Sequence, residues 1–250
     1  MNQPLHALVF DVDGTIADTE RFHLRAFNQA FADEGLDWHW DEALYTELLE
    51  ISGGKERMLA YWRRSRGHMV DIDGNAIVHL VERLHQAKTA IYESMVHNGL
   101  VELRPGVLVL MDEARRRGLR LAIATTTSPV NVAALLRRAV GAHWRLHFPV
   151  VCDASTAPRK KPHPQAYLQA LERLGLPAAA CVAFEDSANG LRAASAAGMD
   201  TVVTPTAFTR HHDFSGALRV LPSLEGLSLD DLSGWRTGHA PAAQAMGATS

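Results

Sequence analysis

Cysteine is scarce in this 250-residue chain, with Cys152 and Cys181 the two present. Two thiols cannot staple a small secreted scaffold, so a disulfide framework is excluded and a reducing, cytoplasmic setting is expected. Long hydrophobic runs are missing as well. No stretch approaches the roughly eighteen unbroken apolar residues that a membrane span requires, and the mean hydropathy is −0.09. Neither sign of charge dominates: 25 Lys and Arg against 28 Asp and Glu leave a net charge of −3. That balance argues against a general nucleic-acid binder. No basic segment precedes the short apolar run near the N-terminus, so no signal peptide is expected. There is no internal repeat. Histidine is plentiful, yet His143 and His147, at i and i+4, have no accompanying Glu or third ligand, which argues against zinc.

What is present is alternation. Short, continuous apolar runs lie at 8–10, 121–124, 150–152, 181–184 and 201–203. Runs of this kind suit strands buried on both faces of a parallel sheet. Helical patterns at 107–117, 131–140, 164–174 and 187–197 lie between most of them and stop at or next to a glycine. The rhythm is that of an α/β fold with a Rossmann-like parallel sheet.

One region breaks the rhythm. Between about 19 and 98 no strand pattern is found. Apolar stripes instead mark four helices, through Phe22, Ala26, Ala30 and Phe31; through Leu44 and Leu48; through Met58 and Trp62; and through Ile77, Leu80, Val81, Leu84, Ile91 and Met95. We expect residues 1–18 and 97–238 to form the α/β core, and residues 19–96 an inserted all-helical unit. The Ala, Gly, Ser and Pro-rich segment 239–250 is expected to be mobile.

The chemistry begins directly after the first run, at Asp11-Val12-Asp13-Gly14-Thr15. Asp and Gly also make ordinary turns. Two acids at the mouth of a buried strand, however, raise each other's pKa unless a cation lies between them. Mg²⁺ prefers one or two carboxylates together with phosphate oxygens. Three more polar clusters follow later runs: Thr125-Thr126-Thr127-Ser128, Lys160-Lys161-Pro162 and Glu185-Asp186-Ser187. Singly, each reads equally well as a helix N-cap or a solvated loop. Together they fall at the carboxyl ends of predicted strands, where open α/β sheets bind ligands. Acids, a hydroxyl and an ammonium on one rim suit phosphoryl transfer, in which electrostatic stabilisation supplies most of the catalysis.

The order D-x-D-G-T, Thr, Lys-Pro, Glu-Asp resembles the haloacid dehalogenase-like superfamily of phosphohydrolases, over residues 11–203. The resemblance implies that Asp11 is the nucleophile and that Asp13 is the general acid and then base. It implies that Thr125, Thr126 and Lys161 hold phosphoryl oxygens, and that Mg²⁺ is bound by Asp11, the Asp13 carbonyl and Asp186, with Glu185 nearby. The helical insert matches the family's mobile cap. Dehalogenase members lack the acid corresponding to Asp13, so dehalogenation is disfavoured.

Within the superfamily, Asp18-Thr19-Glu20, His23 and Ala26-Phe27 are similar to the β-phosphoglucomutase-like branch. Gly53-Gly54-Lys55-Glu56-Arg57 is more similar to the CbbY-type sugar-bisphosphate phosphatases, whose substrate is xylulose 1,5-bisphosphate, an inhibitor of the Calvin-cycle enzyme Rubisco. On that basis Asp18 and His23 are expected to contact the sugar. Gly54, Lys55, Arg57 and Lys88 are expected to hold a second phosphate. Lys88 lies four residues after Leu84 and seven after Val81, which places its stem on the apolar stripe of the fourth helix; a snorkelling lysine is the plainer alternative. The expected protein is a monomeric, Mg²⁺-dependent sugar-phosphate phosphatase. A sugar phosphomutase using the same residues and a non-catalytic phosphosugar-binding protein are the rivals.

Overall fold

The computed structural model describes residues 4–65 and 74–237; the segment expected to be a mobile tail lies outside them. Strands β1 (Ala7–Phe10), β2 (Arg120–Ala124), β3 (Val150–Cys152), β4 (Cys181–Glu185) and β5 (Asp200–Val203) form at the five apolar runs. All pair in parallel, in the order β3-β2-β1-β4-β5, with a two-residue β6 (Arg219–Val220) beyond β5. Both residues of β6 are exposed, so no apolar run announced it. The register sets Phe10 beside Ile123 on one side and Phe184 on the other. Parallel pairing therefore brings the strand carboxyl ends to one rim, and the direction of winding switches next to β1.

Between β1 and β2 the chain forms α1 (Glu20–Asp33), α2 (Glu42–Leu48), α3 (Gly54–Ser65) and α4 (Gly74–His97). The Asp41 carboxylate accepts the Leu44 N–H at 2.8 Å and starts α2. These helices close over their own apolar core of Leu24, Phe27, Phe31, Trp38, Trp40, Tyr45, Met58, Trp62 and Leu84. Trp38 and Trp40 are packing residues within it, edge-on to Phe31 at 5.3 and 5.0 Å. Phe208, from the loop after β5, joins this core and meets Tyr45 edge-on at 5.8 Å.

The sheet is covered on both faces by α5 (Val107–Arg116), α6 (Pro129–Val140), α7 (Trp144–His147), α8 (Gln165–Leu174), α9 (Ala188–Ala196) and α10 (Leu229–Arg236). One face buries Leu8, Phe10, Ile123 and Phe184 under α5, α6 and α10. The other buries Ala7, Val9, Ala122 and Ala183 under α8 and α9. Cys152 and Cys181 are free thiols buried on this second face, and burial pushes both up to about 11. Helix α6 begins two residues earlier than its apolar pattern, because Ser128 caps it and Pro129 supplies the first turn. Among the described residues, no helix is long and apolar enough to cross a membrane.

Candidate active site

Asp11 leaves β1 at the switch point and is buried. Its Oδ1 accepts a hydrogen bond from Lys161 Nζ at 2.6 Å, and the same ammonium donates to Glu185 Oε1 at 2.6 Å. Tyr167 OH donates to that Glu185 oxygen at 2.5 Å. Asp186 follows directly, and one carboxylate oxygen each from Asp11, Glu185 and Asp186 lies within 4.8 Å of the others. Three buried acids thus lie together, and two of them, Asp11 and Glu185, share one ammonium. Burial, together with Glu185 and Asp13, outweighs Lys161 and pushes Asp11 up to about 7. Burial first, and then Asp11 and Glu185, hold Asp186 well above the carboxylate range. Burial opposes the charge on Lys161, but Asp11 and Glu185 hold it above its ordinary value.

The turn after β1 is built on Gly14, whose φ is +77°. A Cβ there would strike the Asp186 carboxylate, so glycine lets this turn close against the β4 loop. Asp13 is displaced from the acid cluster. Its Oδ1 lies 2.9 Å from His23 Nε2, and Thr127 Oγ1 donates to its Oδ2. Burial alone would raise Asp13; His23 and the Thr127 hydroxyl outweigh it and hold the carboxyl far below its usual range. Thr125 is buried beside Asp11, with its N–H on Cys152 O at 2.9 Å, and Thr126 lines the same cleft.

The opposite wall comes from the helical unit. Lys88 is 6% exposed, and its Nζ lies 2.9 Å from His23 Nδ1. An ammonium can only donate, so Nδ1 accepts and Nε2 carries the proton that faces Asp13. His23 stacks on Tyr92 at 4.1 Å, and Lys88 lies 4.9 Å from the Phe27 ring centre. Burial pushes Lys88 down to about 8, against the pull of Asp13 and Glu20. Partial burial first, and then Lys88 and Lys55, push the half-buried His85 down to about 4. Arg57 donates from Nε to Ile51 O at 2.8 Å, leaving part of its guanidinium directed at Tyr45 OH, 3.5 Å away. Tyr45 in turn donates to Glu20 Oε2 at 2.6 Å. Gly54 lines the cleft where a Cβ would crowd the Phe27 ring at 3.1 Å. The whole cleft measures about 470 Å³.

Two expected site residues are placed differently. Asp18 does not line the cleft; it is exposed and pairs with Arg21 at 3.2 Å. The acid that faces the cleft is Glu20, on the same face of α1 as His23 and Phe27. Spacings of three and seven residues carried that signal. Lys55 reaches the rim, but both Glu82 oxygens hold its ammonium at 2.6 and 2.7 Å, so its charge is largely spent within the helical unit.

Residues 5–198 match the haloacid dehalogenase-like hydrolase family. The chain belongs to that family. It is 55% identical to the plasmid-borne protein CbbY of Cupriavidus necator over 88% of this chain and 86% of that protein. CbbY from Rhodobacter sphaeroides, solved in complex with phosphate, superposes with a TM-score of 0.83 at 44% identity, covering 92% of this chain and 99% of that one. An Asp-to-Asn mutant of the same protein, solved with xylulose-(1,5)bisphosphate, also superposes at 0.83 and 44% identity, covering 91% and 99%. This haloacid dehalogenase-like protein is a phosphoric monoester hydrolase of the CbbY-like type.

The family's dependence on a divalent cation can be tested on the residues present. Asp11, Glu185 and Asp186 offer only hard carboxylate oxygens, and one ammonium leaves the cluster short of positive charge. That donor set fits Mg²⁺ and does not favour a softer metal. Glu185 is the most engaged of the three, since Lys161 and Tyr167 both occupy its Oε1.

Proposed function

We propose that this protein is a Mg²⁺-dependent sugar-bisphosphate phosphatase working through an aspartyl-phosphate on Asp11, with xylulose 1,5-bisphosphate as its first candidate substrate. One observation carries the reading: Lys88 and Arg57 line the same cleft as Asp11 and Lys161. That arrangement provides one cationic pole for the transferred phosphoryl group and another for a phosphate that stays. The likeness to a CbbY solved with xylulose-(1,5)bisphosphate supports the choice of sugar.

In this reading, residues 19–96 act as the cap over the α/β core. Thr125, Thr126 and Lys161 bind the phosphoryl oxygens. Asp11, the Asp13 carbonyl and Asp186 hold Mg²⁺, which supplies charge neutralisation at the phosphoryl group; Glu185 keeps Lys161 in place. An Asp11 oxygen forms a bond to phosphorus as the sugar P–O bond breaks, and Asp13 delivers a proton to the departing sugar oxygen. Asp13 is ionised in the free cleft, so it takes up that proton from solvent as the phosphodianion enters beside it. Asp13 then accepts a proton from the water that attacks the aspartyl-phosphate, and inorganic phosphate leaves. Glu20, held by the buried Tyr45 hydroxyl, is placed to meet sugar hydroxyls between the two poles. Two buried free thiols suit the cytoplasm.

The test follows both products, for xylulose 1,5-bisphosphate, ribulose 1,5-bisphosphate, fructose 1,6-bisphosphate and β-glucose 1-phosphate. Selective phosphate release from the first is the expected result. Conversion of β-glucose 1-phosphate to its 6-phosphate without phosphate release would make the protein a mutase. Binding of sugar phosphates without turnover would make it a non-catalytic sensor.

A further inference from the structure

Arg104 lies where the chain returns from the helical unit to the sheet. Its backbone N–H donates to Ile16 O at 2.9 Å, and neighbouring Leu103 bridges antiparallel to Ala17. The two connections between cap and core are therefore tied together at this point. The side chain is half-buried and turns inward. Nη1 donates to the carbonyls of Gly14 and Thr204 and reaches Thr204 Oγ1 at 3.0 Å. Nη2 donates to Pro205 O at 3.1 Å and Pro222 O at 3.2 Å. One guanidinium thus spans carbonyls from three separate loops, which a planar fork of five donors can do and a single ammonium cannot.

Two of those loops frame Asp186. Gly14 closes directly against its carboxylate. Thr204 and Pro205 lead into a turn in which Thr209 Oγ1 accepts the Thr206 N–H at 2.9 Å and donates to Asp186 Oδ2 at 3.3 Å. The Thr204 N–H meanwhile donates to Glu185 O at 2.7 Å, immediately before Asp186. Arg104 touches none of the reacting groups, but it grips both walls that orient this carboxylate. We infer that Arg104 is a positioning residue that sets the cation affinity of the Asp186 side of the site, through the Gly14 turn and the Thr204–Thr209 loop. This rests on the reading of Asp186 as a metal ligand.

The probe is Mn²⁺, titrated without substrate and followed by the EPR signal of the free ion, on wild type and on Arg104→Lys, Thr209→Val and Asp186→Asn. Thermal melts run alongside. Outer-shell partners of metal sites typically control affinity by about 10–100-fold, so Arg104→Lys should bind Mn²⁺ about tenfold more weakly. Thr209→Val, which cuts the same chain at its last link, should weaken binding in the same direction. At saturating Mg²⁺ the Arg104→Lys variant should recover kcat to within about threefold of wild type, since Asp11, Asp13 and Lys161 are untouched. A lowered melting temperature with unchanged Mn²⁺ affinity in Arg104→Lys, or wild-type affinity in Thr209→Val, overturns the inference. Should Asp186→Asn bind Mn²⁺ as wild type does, the metal reading itself fails, which is a separate result.

Discussion

Replacing Lys88 by Met should make the protein more stable at neutral pH while it weakens binding of doubly phosphorylated sugars. The magnitude follows from where the ammonium lies. Burial takes Lys88 from its ordinary 10.5 down to about 8, even with Asp13 and Glu20 attracting it and Arg57 repelling it. Holding that charge in the fold below pH 8 costs about 3 kcal/mol. Methionine fills a similar volume without the charge. It gives up the hydrogen bond to His23 Nδ1, about 1 kcal/mol, and the cation–π contacts with Phe27 and Tyr92, about another 1 kcal/mol. The net expectation at pH 7 is a gain of about 1 kcal/mol, or about 2–4 °C in Tm for a chain of this size. The sign depends on pH. Between the folded value of about 8 and the unfolded 10.5 the unfolded chain binds the extra proton, so wild-type stability rises with pH across that window. By pH 10.5 the advantage of methionine should be gone, and the lost hydrogen bond should leave it slightly the weaker protein. Urea melts at several pH values across that range measure the difference directly. The KM for a sugar bisphosphate should rise roughly 10–100-fold, the worth of one charge-assisted contact. A Lys88→Met protein destabilised at pH 7, with the same deficit at pH 10.5, would refute the reasoning.

Three further substitutions probe other parts of the cleft. Asp13→Asn keeps the shape but cannot exchange a proton, so kcat should fall by roughly 10²–10⁴ in steady-state assays. Lys161→Met leaves Asp11 and Glu185 without their shared ammonium; it should lose roughly 10²–10³ in kcat and about 3–5 kcal/mol of stability by denaturant titration. Lys160 and Glu56 link core to cap at 2.6 Å across a partly exposed gap, where ion pairs contribute only about 0–1 kcal/mol. Lys160→Met should therefore change KM by no more than a few-fold; a hundredfold change would mean that Lys160 meets substrate itself.

The sequence carried some of this architecture openly and hid the rest for identifiable reasons. Strands β1 to β5 were visible because both of their faces are buried, which leaves continuous apolar runs; β6 pairs only through its backbone and has no such run. Lys88 announced itself by its place on the Leu84 and Val81 stripe, although only the fold shows its ammonium against His23. Lys55 looked free because its partner, Glu82, comes from another helix. Asp18 belongs to the Asp18-Thr19-Glu20 motif, whereas the helical face that Glu20 shares with His23 and Phe27 is the better physical signal. The hydroxyl of Thr127 belongs to a run that also reads as a helix cap, and nothing local in the chain indicates that it reaches Asp13. Arg104 sits beside a proline and a glycine in an unremarkable connection, and its role depends on loops about ninety residues before it and a hundred residues after it.

The central claim is that Asp11 carries the phosphoryl group. Wild-type protein, mixed rapidly with Mg²⁺ and xylulose 1,5-bisphosphate and quenched in acid during turnover, can be weighed intact and its peptides mapped, with Asp11→Asn as control. The account predicts a single phosphoryl adduct on Asp11 and no adduct or phosphate release in the control. Phosphate release that persists in Asp11→Asn, or an adduct on another residue, would contradict it.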